Sequence, residues 1–166
     1  MRTGELMASL IHAVKEDLGR YFRHMARRVE RAVHALPKEK VYLKPYPYGN
    51  SVGHLVLHLT GNLNHYIGAL VAGTGYVRDR EREFTEPHPP PPEEALLRFQ
   101  EAVVMVLETI DSMDENKLVA PVSNQPPVLT TFGLLLVCAA HLNNHIGQMA
   151  YLVQAHGHST EEPPMW

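Results

Sequence analysis

Cysteine is almost missing from this chain. Cys138 is the only one in 166 residues, which excludes an intrachain disulfide and a thiolate metal cluster. An excess of basic charge is missing too: 15 Lys and Arg against 18 Asp and Glu leave a formal charge of −3. Clamps on nucleic acid or anionic lipid need a basic surface, so neither partner is expected. No run of about 18 apolar residues occurs, so no helical membrane span is expected. The opening Met1-Arg2-Thr3-Gly4-Glu5 is charged and lacks the apolar stretch of a secretory leader, so a cytoplasmic protein is expected. What is present is an ordinary globular composition, 45% apolar and 20% charged. The length suits a single domain, residues 1–166. Histidine stands out, with 11 copies, several at helical spacing.

Periodicity predicts four long helices and no alternating strand pattern. The first runs from about Glu5 to Leu36, with Met7, Ile11, Val14, Leu18, Phe22, Met25, Val29, Val33 and Leu36 on one apolar stripe. Pro37 ends it, because proline lacks the N–H that the next turn needs. Residues 37–50 form a packed loop. Asn50 or Ser51 then caps a second helix through Val52, Leu55, Leu59, Leu63, Tyr66 and Leu70 to Gly73. A long connection, residues 74–92, begins charged and ends in polyproline. The third helix starts near Pro92 and carries Leu96, Phe99, Val103, Val106 and Ile110, with Ala102, Val104 and Leu107 widening its apolar surface. After a Pro-rich loop at 119–129, Thr130 or Thr131 caps a fourth helix from Phe132 to His156, with Gly157 beyond its end. The expected fold is an all-α four-helix bundle with long loops, whose short links at 37–50 and 119–129 allow sequence neighbours to pack antiparallel.

The fourth helix contains His141-Leu142-Asn143-Asn144-His145. Residues four apart share a face, so both imidazoles can bind one metal ion. Steps of three or four from Cys138 pass through His141, His145 and Gln148 or Met149 to Leu152, which puts the pair on or beside the core stripe. Two buried imidazoles on adjacent turns can hardly satisfy each other, whereas a metal satisfies both. The glutamate of His-Glu-x-x-His is absent, which sets zinc-peptidase chemistry aside.

The second helix offers His54, His58 and His65, with Asn62 on the same side. A catalytic metal site takes three protein ligands and keeps one position open, so one of them suffices. His58, mid-helix between Leu57 and Leu59, is the first choice. His54 reads as a fourth ligand, a hydrogen-bond partner behind the ligands or a pocket residue, and His65 as a surface or loop contact. His12, His24, His34, His88, His156 and His158 read as solvated or terminal. A ligating ring donates its other N–H to an oxygen, and Asn62, Asn144 and Gln148 are placed to accept it. Gln148 reads equally as an interhelical hydrogen bond. Tyr66 and Tyr151 either line the pocket or belong to the core. Cys138 reads as a buried structural cysteine rather than a ligand or nucleophile.

The segment Ser51-Val52-Gly53-His54-Leu55-Val56-Leu57-His58-Leu59-Thr60-Gly61-Asn62-Leu63, followed by His141-Leu142-Asn143-Asn144-His145-Ile146-Gly147-Gln148-Met149, resembles the DinB/YfiT-like metalloenzyme superfamily, and more narrowly a DUF1572-type branch of it. The resemblance covers nearly the whole chain. It implies a three-histidine site at His58, His141 and His145 with a divalent ion, nickel or zinc. It also implies a homodimer, and an activity that transfers low-molecular-weight thiols such as bacillithiol or mycothiol, or isomerises with their help. The additional His54 departs from the family pattern, and no thiol-binding motif is recognisable.

Three neutral imidazoles suit zinc, nickel, copper or iron alike. The expected function is a metal-dependent thiol S-transferase acting on a small electrophile. A metal-dependent hydrolase would use the same residues. A non-catalytic metal-binding protein would have a closed shell including His54, and a structural dimer would have hydrogen-bonded core histidines. The loops at 74–92 and 37–50 are expected to shape the substrate mouth. The apolar turn at 134–137 and the wide stripe of the third helix point to dimerisation.

Overall fold

The computed structural model describes residues 3–122 and 127–160, with side chains from Leu10 onward. Met7 of the first stripe and residues 123–126 of the Pro-rich loop lie outside that set. Helix α1 (Thr3–His34) buries Leu18, Phe22, Met25, Val29 and Val33, while Ile11 and Val14 are half-buried against the core. Helix α2 (Val52–Leu63) is capped by the Ser51 hydroxyl, which accepts the His54 backbone N–H at 3.2 Å. Ten of its 12 residues are buried, so α2 is the interior helix of the molecule. The remaining helices are α3 (Arg82–Thr85), α4 (Pro92–Asp111), α5 (Glu115–Val119) and α6 (Thr131–Ala155). Proline stands at the first position of α4, where its missing N–H costs nothing. Thr130 caps α6, and Gly157, just past its end, has φ 79°. The fold is all-α around four long helices, and no strand occurs among the described residues. Pro121 and Thr130 make an isolated bridge.

Two short helices, α3 and α5, form in segments expected to be plain loop. The packing order also differs from the sequence order. Both α1 and α2 lie against α4 and α6, whereas α1 and α2 touch sparingly and α4 and α6 hardly at all. The first and second long helices, and likewise the third and fourth, are therefore diagonal partners where direct neighbours were expected, whereas α2 and α4 do pack side by side. The second helix also changes character at Asn64, where its turns widen into a π-helix (Asn64–Ala72) that ends at left-handed Gly73, φ 68°. The wider turn rotates the following side chains out of the α2 stripe. Ile67 and Gly68 are buried, and Leu70, expected on the stripe, is exposed. On α4, Ala102 is core and Leu107 packs against it, leaving Leu97 and Val104 exposed. In the 134–137 turn, Leu134 and Leu135 are buried while Leu136 and Val137 keep part of their surface exposed.

The 37–50 loop is pinned by close packing. A Cβ on Gly53 would sit 2.4 Å from a Tyr42 ring carbon, and the Tyr42 hydroxyl is itself buried. Alanine at position 53 gains about 1 kcal/mol of helix propensity but overpacks against a confined ring, a cost of about 1–3 kcal/mol. Gly53→Ala should therefore lower the urea midpoint of unfolding. A midpoint at or above that of the unaltered protein would show that Tyr42 yields freely.

Candidate metal centre

Three imidazoles converge between α2 and α6. His58, His141 and His145 each bring one ring nitrogen into a group whose atoms lie within 4.8 Å of one another. Their ring centroids are 4.4–5.1 Å apart, all in edge-on arrangement. His58 and His145 are buried, and His141 is half-buried. The Nε2 atoms of His58 and His141 approach to 2.9 Å.

The opposite face of each ring explains which nitrogen is free. His58 Nδ1–H donates to Glu83 Oε2 at 2.8 Å, and His145 Nδ1–H donates to Gln148 Oε1 at 2.9 Å. Both rings therefore direct an Nε2 lone pair inward, as ligating histidines do. At 2.9 Å two bare lone pairs cannot face each other: either neutral His141 carries its proton on Nε2 and donates to His58, or a cation takes that proton's place. The donor set thus fits a divalent ion, since neutral imidazole is a good ligand for zinc, nickel, copper and iron.

Glu83 is the residue that sequence reasoning missed. It comes from α3, inside the charged first part of the 74–92 connection, yet it is only 7% exposed. A buried carboxylate needs partners. Besides His58, Arg78 holds it in a fork, through Nε to Oε1 at 2.6 Å and Nη2 to Oε2 at 2.8 Å. Burial pushes the Glu83 carboxyl up, but the bonds from His58 and Arg78 and the nearby Arg78 charge prevail and hold it below its ordinary value. The exposed charges of the same run do other work: Asp79 caps the Arg82 N–H, and Arg82 pairs with Glu86. One signal in the sequence was Phe84, the apolar residue in a charged stretch, which packs its ring 4.7 Å from that of His58. A second was Gly61, where a Cβ would stand 2.1 Å from Glu83 Oε1. Only glycine lets the carboxylate lie flat against α2 at this point.

The other candidate residues fall into place around this group. Asn62 is buried and Tyr66 half-buried, and both line the cavity above the histidines, although Asn62 makes no hydrogen bond to a ring. His54 stands outside the group. Its Nδ1 is 2.7 Å from the Ser51 hydroxyl and its ring meets Tyr42 edge-on, so it belongs to the start of α2. Asn144 and Tyr151 were misassigned. Asn144 is exposed and bonds to neither ring, because it sits about 100° around the helix from His145. Tyr151 is 76% exposed and lines a separate surface groove with Tyr46 and Gln148. The 37–50 loop likewise packs on the start of α2 and contributes no residue to the cavity lining, to which the 74–92 connection gives Arg78 and Arg80. His65 is half-buried, edge-on to Tyr66. His24, expected in solvent, has its Nε2 buried in α1.

A family model of the DinB superfamily matches residues 7–149. The chain belongs to the DinB superfamily. Among solved structures, a conserved protein from Enterococcus faecalis is similar in fold, with TM-score 0.62 and 18% identity, covering 84% of this chain and 95% of that one. No protein of curated function matches the chain. In this DinB-superfamily chain, the histidine group is placed to hold a divalent metal ion, with Glu83 and Gln148 orienting two of its rings.

Burial depresses the basicity of the group. The His141 pKa falls from 6.5 to about 4, first through burial and then through His145, His58, Arg78 and Arg80. Burial also lowers that of His145, against the opposing bond to Gln148. A histidine harder to protonate folded than unfolded makes the unfolded state the better proton binder at acid pH. Metal-free protein should accordingly lose melting temperature as pH falls from about 6.5 toward 4, with Glu83 adding loss in the same direction further down. A flat profile across that window would contradict the burial. Removing the support of His58 should also weaken the metal. Glu83→Gln is expected to reduce divalent-ion affinity about 10- to 100-fold, and Gly61→Ala, by displacing the carboxylate, should act in the same direction. Unchanged affinity in both would show that His58 needs no such support.

Proposed function

We propose that this chain is a metal-dependent enzyme of the thiol S-transferase type, acting on a small electrophile. The observation that carries this reading is the convergence of His58, His141 and His145 beside a cavity that His58 and His141 line. A divalent ion held there would act as a Lewis acid, favouring the anionic form of a thiol or water near neutral pH. The position of His54, turned to Ser51, supports a three-histidine shell with a position left for substrate over a closed four-histidine one. Nickel and zinc are the ions proposed.

The chain's own residues divide the remaining work. Glu83 and Gln148 fix the tautomers of His58 and His145. Arg78 neutralises Glu83, so the carboxylate does not draw a proton from the site. Val128, Leu134 and Val137 give the cavity an apolar wall. Cys138 also lines it, but burial pushes its thiol up to about 12, so at neutral pH it stays protonated and a poor nucleophile. That favours a nucleophile brought by a second substrate, as thiol transfer requires. Exposed Leu97, Val104 and Leu136 support a homodimer as part of this proposal.

The test is a panel of small electrophiles offered to metal-loaded protein with and without added low-molecular-weight thiol. Conjugation that requires the thiol is expected, together with loss of both metal and turnover in His145→Ala while far-ultraviolet circular dichroism keeps its helical form. Hydrolysis independent of thiol would replace transfer with metal-assisted hydrolysis. A His145→Ala protein that still binds one ion per chain would refute the ligand set.

A further inference from the structure

The cavity over the histidines measures about 230 Å³, small for a ligand pocket. Its lining contains two arginines and no acidic residue. The two arginines are in different electrical states. Arg78 lies over the Tyr66 ring and its charge is matched by the Glu83 fork. Arg80 has no such partner: no carboxylate among the described residues stands within 4.0 Å of it. Its neighbours are committed elsewhere or point away, with Asp79 on the α3 cap, Glu86 on Arg82 and Glu81 exposed. Yet Arg80 is not left to wander. Its guanidinium carbon lies 5.6 Å from the centre of the Phe84 ring, and Phe84 is packed on His58. A stacked guanidinium keeps its edge donors available, and that edge suits the paired oxygens of a carboxylate or phosphate.

We propose that the cavity binds a small anion bearing a carboxylate or phosphate, anchored by Arg80 and resting against Val128, Leu134 and Val137. The proposal rests on the enzyme reading for its purpose, since it names the class of molecule presented to the histidine group. The anchoring itself uses only protein residues. An anion held at Arg80 would share the cavity with His58, against whose ring Phe84 packs, and the absence of acids in the lining leaves no lining charge to repel it.

The test is equilibrium titration of the full chain with succinate, inorganic phosphate and neutral succinamide. It is run on metal-free and zinc-loaded protein, for the unaltered sequence, Arg80→Ala and Arg80→Lys, with zinc content measured in each. At least one anion should bind about tenfold or more tightly than succinamide. Arg80→Ala should weaken that binding about tenfold or more in both metal states, with Arg80→Lys intermediate and zinc content unchanged. Preference for succinate or for phosphate identifies the headgroup. The proposal is overturned if neither anion binds, if succinamide binds as well, or if binding depends on zinc and ignores Arg80→Ala. Arg80-dependent anion binding in a protein that takes up no zinc would instead remove the metal reading and leave the anion site standing.

Discussion

The buried carboxylate of Glu83, held between Arg78 and His58, ties the long 74–92 connection to the interior helix. A carboxylate at 7% exposure is tolerable only with charged and hydrogen-bonding partners in place. Arg78 supplies the charge, His58 supplies a donor, and Gly61 supplies the room. Once the three are assembled, much else follows. α3 is drawn against α2, Phe84 is laid on the His58 ring, and Arg78 and Arg80 are set in the lining of the cavity. His58 in turn is left with its Nε2 facing His141. One ion pair thus couples the shape of a loop to the orientation of a ring in the core.

The helices were legible because their signals are local. The stripe from Leu18 to Val33, the proline after His34, and the caps at Ser51 and Thr130 each act within a few residues, and α1, α2, α4 and α6 start close to where those signals place them. The histidine pair four apart was legible for the same reason, and His58 followed from its mid-helix position. What could not be read was set by contacts across the fold. The diagonal packing of α1 with α2 and of α4 with α6 depends on which stripes fit each other. The π-helix after Leu63 shifts Leu70 into solvent through a change of turn that no residue in Asn64–Ala72 announces. Glu83 and Glu81 are chemically alike and two positions apart, yet only one meets His58; the difference lies in the return path of the chain. Tyr151 and Asn144 share the fourth helix with the site, but their angular positions carry them away from it.

The site combines a soft requirement with a hard one. Imidazole nitrogen accepts several divalent ions, so the donor set by itself does not choose among them. The surroundings are more selective. Burial keeps His141 neutral well below pH 6.5 and keeps Cys138 protonated, so the protein offers lone pairs for a cation and no thiolate of its own. Above the histidines the lining is split between the Arg78 and Arg80 edge and an apolar wall. That division suits a small molecule with a charged end and a greasy one, delivered with its reactive atom toward the histidines.

The central claim, that three imidazoles from α2 and α6 serve a single ion, is tested most directly by X-ray absorption spectroscopy on untagged, metal-reconstituted protein. The expected result is one divalent ion per chain whose spectrum fits three imidazole nitrogens and one or more oxygen donors from solvent. An ion shell fitted by four imidazoles, a shell without imidazole scattering, or a protein that retains no ion would contradict it.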